Sequence, residues 1–265
     1  MPKRPRQPRP IELYFEYGAG NTYNLQKPIE EAGSGLQQIV EPNGHDDPSR
    51  ETGGLGCTAE AACQQWIEFA GAGGHLYLTS DRAYNSDLER INAIEAEENS
   101  LFAFARSKGL DGVSLLEGLT AYKPRAASGS EHRVYFDGKD RVLKRTKAGK
   151  YGQRMATPFE YMDRLALMNA IYPALDIRFE DCLKNEKGEF SILTSMRSFP
   201  GPHPTGKEVD KFLKGEGFEV LDDGSGTMDY IHHAFGLILR DCHAQNWVVD
   251  RGMMVPIDII PELVR

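Results

Sequence analysis

The 265-residue sequence predicts an α+β fold made of antiparallel hairpins separated by helices. Two observations predict it: short runs rich in Val, Ile, Tyr and Phe lie between strong turn signals, and two helix starts carry capping boxes. Size supplies a third. At 40% hydrophobic content the chain buries a full core, as one large domain or two coupled halves. No run approaches the ~18 apolar residues of a membrane span.

Met1 to Pro10 carries Lys3, Arg4, Arg6 and Arg9 among four prolines and no acid. It lacks the apolar stretch of a secretory signal, and its composition is that of a disordered, solvated tail. Without those four cations the formal charge moves from −8 to −12. A body that acidic argues against nucleic acid as the main partner. Ile11 to Tyr17 alternates as a strand, and Gly18 to Gly56 is rich in Gly, Asn and Pro with little periodicity. Within it, Gly53-Gly54-Leu55-Gly56 lacks a preceding apolar strand and reads as linker. Thr58 opens a helix to Ala70, and His75 to Thr79 forms a short strand. Ser86 opens a long helix with the stripe Leu88, Ile91, Ile94, Leu101 and Ala105, which Gly109 ends. Cys57, Cys63, Cys182 and Cys242 lack metal spacing, and with no export signal they read as reduced thiols of a cytoplasmic protein.

Leu119 to Lys123 is the next strand, followed by a loop of small residues from Pro124 to Ser130 and a return strand from Glu131 to Phe136. Asp137-Gly138-Lys139-Asp140 is a strong turn, and Arg141 to Lys144 is a third strand. Side chains alternate along a strand, so Val142 and Lys144 share a face. Taken alone, Lys144 is a solvated charge in the basic run Lys144-Arg145-Thr146-Lys147. Thr157-Pro158-Phe159-Glu160 then opens a helix with Thr at the cap, Pro in the first turn and the stripe Tyr161, Leu165 and Met168. Asp176 to Leu183 and Phe190 to Met196 form a hairpin around Asn185-Glu186-Lys187-Gly188. The chain leaves it through the hinge-like Arg197-Ser198-Phe199-Pro200-Gly201-Pro202. Thr205-Gly206-Lys207-Glu208 caps a second helix that runs through Val209 and Phe212 to Gly215 or Gly217.

The remaining segment carries the chemistry. Arg240-Asp241-Cys242-His243-Ala244-Gln245-Asn246 is followed, twelve positions after Asn246, by Asp258 of Pro256-Ile257-Asp258. Trp247-Val248-Val249 and Met253 to Ile257 form a hairpin around Asp250-Arg251-Gly252, which delivers Asn246 and Asp258 to one end. This is the spacing of a kinase catalytic loop, with one Asp near an accepting hydroxyl and an Asn and a second Asp for Mg²⁺. Two oxygen ligands with room for water and phosphate suit that ion. In order with them, Lys144 becomes the strand-borne Lys on the phosphates, and Val142 floors the adenine pocket. Exposed amides of Ser128, Gly129 and Ser130 suit phosphate, although Gly129 is the loop's one glycine. Backbone groups from Met196 to Phe199 would face adenine. Glu160 is either the acid that pairs with Lys144 or the capping-box Glu, with Asp163 as the substitute acid. His243 would brace the loop. A rival reading, a metal hydrolase using His232, His233, Asp241 and His243, is weakened because adjacent histidines diverge.

From about Ala127 to Ile260 the chain resembles the serine/threonine/tyrosine kinase-like domain found in polyvalent proteins of phages and conjugative elements. The resemblance rests on Gly129-Ser130-Glu131 leading into Val134-Tyr135, on Lys144, and on Thr157-Pro158-Phe159-Glu160-Tyr161. It continues through Pro204-Thr205, Glu208-Val209 and Gly217-Phe218 to Asp241, Asn246 and Pro256-Ile257-Asp258. It implies an ATP-binding, protein-kinase-like two-lobe fold and adds Glu131 as a residue near the phosphate-covering loop. It leaves the acceptor unassigned.

The expectation is therefore a basic tail over 1–10, an α+β region of unknown role over 11–118 packed on the core, and a kinase-like ATP-binding domain over 119–265. Its C-terminal lobe is expected to be truncated, since the sequence ends seven residues after Asp258 without a long activation segment or helical platform. Ile259-Ile260 stands where signalling kinases carry Phe-Gly. The activity expected is Mg²⁺-dependent transfer of the γ-phosphoryl group of ATP to a hydroxyl of a protein or small molecule. The alternatives are a nucleotide-binding pseudokinase or interaction module, and nucleotidyl transfer on the same fold.

Overall fold

The structure, a computed structural model, describes residues 57–72, 84–110, 129–136, 140–152, 155–222 and 228–264, together with two short N-terminal strands. Those strands, β1 (Phe15–Tyr17) and β2 (Tyr23–Leu25), pair antiparallel. β1 is the end of the expected first strand, whereas β2 lies in a stretch read as aperiodic. The basic tail, the glycines at 53–56 and the expected strands at 75–79 and 119–123 lie outside the described residues, as does Ser128.

Two helices follow. α1 (Ala59–Ala72) starts where Thr58 Oγ1 accepts the Ala61 N–H at 3.4 Å. α2 (Asp87–Ser107) is capped by Ser86, and Gly109 after it adopts φ +73°, a conformation that costs glycine little. The stripe expected on α2 is corrected in its first half. Leu88 and Ile91 are 67% and 51% exposed, and the buried face is Ala93, Glu97, Leu101, Phe104 and Ala105. The reason is polar docking. Arg90 donates to the Met155 carbonyl and to Glu160, and Glu97 accepts the Phe159 N–H at 2.8 Å. The helix meets its neighbour through charged side chains at a turn that needs partners, where periodicity alone counts only apolar ones.

A four-stranded antiparallel sheet has the order β3-β4-β6-β5, from β3 (His132–Phe136), β4 (Arg141–Thr146), β5 (Arg178–Lys184) and β6 (Phe190–Arg197). Between β4 and β5 runs α3 (Pro158–Ile171), which has a complete capping box from Thr157 and Glu160. One side of α3 meets α1 and α2 in a cluster containing Trp66, Leu101, Phe104, Phe159, Phe179 and Ile192. Its other side, with Leu167, Met168 and Ile171, belongs to a second cluster built with Leu213, Leu239 and Trp247. Burying an apolar surface on both sides fixes where α3 sits.

Beyond β6 the chain crosses to α4 (Gly206–Gly215), whose capping box from Thr205 and Glu208 is also complete. A second antiparallel sheet has the order β12-β9-β8-β7, from β7 (Glu219–Leu221), β8 (Asp229–His232), β9 (Leu237–Arg240) and β12 (Ile260–Leu263). The hairpin of β10 (Trp247–Asp250) and β11 (Met253–Pro256) lies between β9 and β12 in sequence. Arg251 and Gly252 at its tip both have positive φ, the backbone of a type I′ turn. The architecture is thus mixed helix and antiparallel sheet. Among the described residues no helix is long and apolar enough to cross a membrane.

Candidate active site

β4 lies between β3 and β6, so its side chains are held on both flanks. Lys144 stands opposite Thr194, and Val142 opposite Met196. Directly paired residues of antiparallel strands share a face, so these four side chains lie on one surface. Met196 is buried there and Val142 packs against the same cluster.

The loop after β9 is fixed by a residue the sequence reading missed. Asp229, a fully buried carboxylate on β8, accepts the Asp241 N–H at 3.0 Å and the Arg240 guanidinium at 2.8 Å. Asp241 takes φ +57°, a left-handed conformation uncommon outside glycine, and these bonds hold it there. Asn246 ends a 3-10 turn (Ala244–Asn246), and its Nδ2 donates to the Asp241 carbonyl at 2.8 Å and to Oδ2 at 2.9 Å. His243 Nε2 lies 3.5 Å from Asp241 Oδ1, an ion-pair distance. An Asp opening an apolar strand was the available signal for Asp229, but its partner twelve residues on is not visible in one strand.

Residue 257 joins the halves of the site. Its N–H donates to the Asn246 carbonyl at 2.7 Å, and its own carbonyl accepts from Lys144 Nζ at 2.7 Å. Lys144 Nζ also meets Asp258 Oδ1 at 2.9 Å. Burial opposes ionisation of Asp258, yet Lys144, His132 and Arg164 together outweigh it and hold the carboxyl well below the usual carboxylate range. The Asn246 amide nitrogen is fully used, so its Oδ1 remains for a ligand, as does Asp258 Oδ2. Those two oxygens, from the ends of one hairpin, fit a hard divalent cation that keeps water and phosphate in its shell. Among the described residues no cluster of three or more His, Cys, Asp or Glu side chains is placed for a metal.

Glu160 takes the capping role. Its Oε2 accepts the Thr157 N–H at 2.8 Å and Arg90 Nη2 at 2.7 Å, while Lys144 is held by Asp258 and the Ile257 carbonyl. Asp163 does not substitute either, since the carboxylate that meets Lys144 is Asp258. The polar side chains that α3 turns to the site are Tyr161 and Arg164, beside the apolar Leu165 and Met168. With His132, Lys144, Thr194 and Asp258 they line a narrow pocket behind Lys144, about 20 Å³ in volume and so large enough for one water. Arg164 Nη2 lies 2.5 Å from Glu131 Oε1. His132 Nε2 lies 3.0 Å from the Tyr161 hydroxyl. Burial, the largest influence, pulls the His132 pKa down to about 4, against Asp258 and Glu131, which favour its proton.

Gly129 and Ser130 are exposed, and the Gly129 carbonyl accepts Lys147 Nζ at 2.7 Å. Of the histidines of the hydrolase reading, only His243 stays beside Asp241, and the other two go elsewhere. His232 packs between Phe218 and Phe235, with ring centroids at 5.1 and 4.3 Å, and His233 faces Glu219 at 3.7 Å.

No curated protein and no solved structure matches the chain. A family profile described as a serine/threonine/tyrosine kinase found in polyvalent proteins matches residues 94–264, starting inside α2 and ending in the segment after β12. That is well over half of the sequence and takes in Lys144, Asp241, Asn246 and Asp258. The chain therefore belongs to the serine/threonine/tyrosine kinases found in polyvalent proteins.

Proposed function

We infer that the protein is a phosphotransferase that moves the γ-phosphoryl group of ATP to a hydroxyl, with Mg²⁺ held by Asn246 and Asp258. The observation that carries this reading is the residue-257 peptide, hydrogen-bonded to Asn246 on one side and to Lys144 on the other, with Asp258 next to it. In the proposed reaction Lys144 takes the α- and β-phosphates. Asp241 orients the acceptor hydroxyl and receives its proton as the new O–P bond forms and the bond from the γ-phosphorus to the β-bridging oxygen breaks, releasing ADP. The cation, when bound, neutralises charge on the phosphate oxygens. Val142 and Met196 would flank adenine, and the amides of Ser128, Gly129 and Ser130 would cover the phosphates. Because the transition state is loose, the rate comes mainly from positioning and charge neutralisation. The two sheets with their helices would form the two lobes around this cleft, and four unpaired cysteines support a cytoplasmic setting.

A non-catalytic, nucleotide-binding reading has one observation in its favour: no acid of α3 holds Lys144, which rests on Asp258 instead. Incubation with γ-labelled and, separately, α-labelled ATP distinguishes the readings. Phosphoryl transfer moves only the γ label. Movement of the α label indicates nucleotidyl transfer. A nucleotide-dependent thermal shift without label transfer supports binding alone, and the absence of both overturns the reading.

A further inference from the structure

Helix α3 offers the pocket a cation where the kinase pattern expects an acid. Arg164 lies one turn beyond Glu160, is nine-tenths buried, and is fixed on three sides. Its guanidinium lies over the Tyr161 ring at 4.9 Å and meets Glu131 Oε1 at 2.5 Å. Its third neighbour is Gly152, where an added Cβ would come within 2.6 Å of Arg164 Nη1. Gly152 also has φ +118°, so the position suits glycine twice over. Burial works against the Arg164 charge, but Glu131, by charge and by hydrogen bond, more than compensates.

Glu131 stands directly after the exposed Gly129-Ser130 and immediately before β3. The backbone there is held too, since the Lys147 N–H donates to the Glu131 carbonyl at 2.8 Å and Lys147 Nζ donates to the Gly129 carbonyl at 2.7 Å. The following residue, His132, is gripped by Tyr161, one helical turn before Arg164. Two side chains of α3 at i and i+3 thus hold two consecutive residues, the one before β3 and the first of β3. The same side chains line the pocket with Lys144 and Asp258.

We propose that Glu131 and Arg164 are positioning residues that tie the phosphate-covering segment to α3 and so set its height above Lys144 and Asp258. The polarity is inverted relative to the expected pair: the acid is on the loop side and the base is on the helix. Lys144 is left without a helix carboxylate and free to exchange Asp258 for phosphate. Glu131 on this account does not touch the nucleotide. It acts through Arg164. The proposal rests on the nucleotide-binding part of the function given above.

The test uses the full chain, with binding of a fluorescent ATP analogue in the presence of Mg²⁺ and turnover of labelled ATP. Glu131→Gln keeps the side-chain shape and removes its charge. Arg164→Lys keeps the charge and removes the planar fork. Each is expected to weaken nucleotide binding and raise KM about tenfold, while kcat changes by less than about threefold. The double variant is expected to bind no worse than the weaker single one, because both changes remove one shared interaction. Phe104→Leu on α2, outside the pocket, lowers the melting temperature and leaves nucleotide affinity alone, which separates a positioning effect from general loosening. Single variants that bind nucleotide as wild type does overturn the proposal, as do singles whose losses add in full. If wild type binds nucleotide but transfers no phosphate, the turnover reading falls while the binding arms still decide the dyad. If wild type binds no nucleotide, both fall.

Discussion

Asp258 is ionised against the pull of its surroundings, and the cations beside it are the reason. Lys144 at 2.9 Å contributes most, with Arg164 behind it. A carboxylate prepared in this way accepts a divalent ion without first losing a proton. Replacing it with Asn removes the charge and keeps the shape. Asp258→Asn is expected to lower Mg²⁺-dependent phosphoryl transfer at least about 100-fold, checked by label transfer across a Mg²⁺ titration. Asp176 gives a pH prediction elsewhere in the molecule. Burial raises its pKa, but hydrogen bonds from Arg178 and Arg141 outweigh that and leave it below the ordinary 3.8. A depressed carboxylate pKa stabilises the fold above the unfolded value, and the contribution disappears as pH falls through the folded one. Asp176→Asn should therefore cost about 1–2 kcal/mol at neutral pH. The gap in melting temperature from wild type should hold down to about pH 5 and narrow below about pH 4.

Among the elements, the crossover between β6 and α4 is tightly constrained. The Val249 N–H donates to the Pro202 carbonyl at 2.8 Å, and His203 Nδ1 lies 2.7 Å from the Trp247 carbonyl. At Gly201 the strand backbone comes so close that a Cβ would lie 1.9 Å from the Val249 carbonyl oxygen. Gly201→Ala must push the crossover off β10, at an expected cost of about 2–4 kcal/mol in denaturant unfolding. Gly215→Ala meets nothing within 4 Å at the end of α4 and is expected to be neutral or to gain up to about 1 kcal/mol. Helix α3 allows a complementary measurement. Glu160→Ala removes half of a capping box and the Arg90 partner, so a thermal melt should report a loss of about 1 kcal/mol. Both capping boxes, the hairpin around Asn185 and the turn at Asp250-Arg251-Gly252 were legible in the sequence, because each is fixed by residues within a few positions of one another. The first half of the buried face of α2 was not, although Leu101 and Ala105 were. Its contacts are with Met155, Phe159 and Glu160, more than sixty residues away.

Across the whole molecule, helices α1 and α2 are joined to the rest of the described core by burial. Trp66 lies 5.8 Å from Phe159, and Phe104 lies 6.4 Å from Phe179, ring centre to ring centre. Trp66, Leu101 and Phe104 each contribute about 1.5–3 kcal/mol of burial, together comparable to the net stability of a domain. A chain lacking residues 1–110 is therefore expected to lose cooperative folding, measured by thermal melt and by size-exclusion chromatography. A compact fragment with wild-type stability would count against this account. The match from residue 94 onward agrees with a core that already needs the second half of α2.

What the sequence by itself determined was the order of parts: hairpin, Lys144, capped helix, hairpin, crossover, Asp241, Asn246 and Asp258. Order along the chain, turn chemistry and spacing are local or linear properties, and they were enough to indicate a kinase. Tertiary structure decided the partners. Glu160 went to its own cap and to Arg90, Arg164 to Glu131, and Asp229 to the backbone of Asp241. A charged side chain takes the partner that packing brings within about 3 Å, because desolvation makes an unpaired buried charge too costly to keep. That distance depends on how α2, α3 and the two sheets pack together.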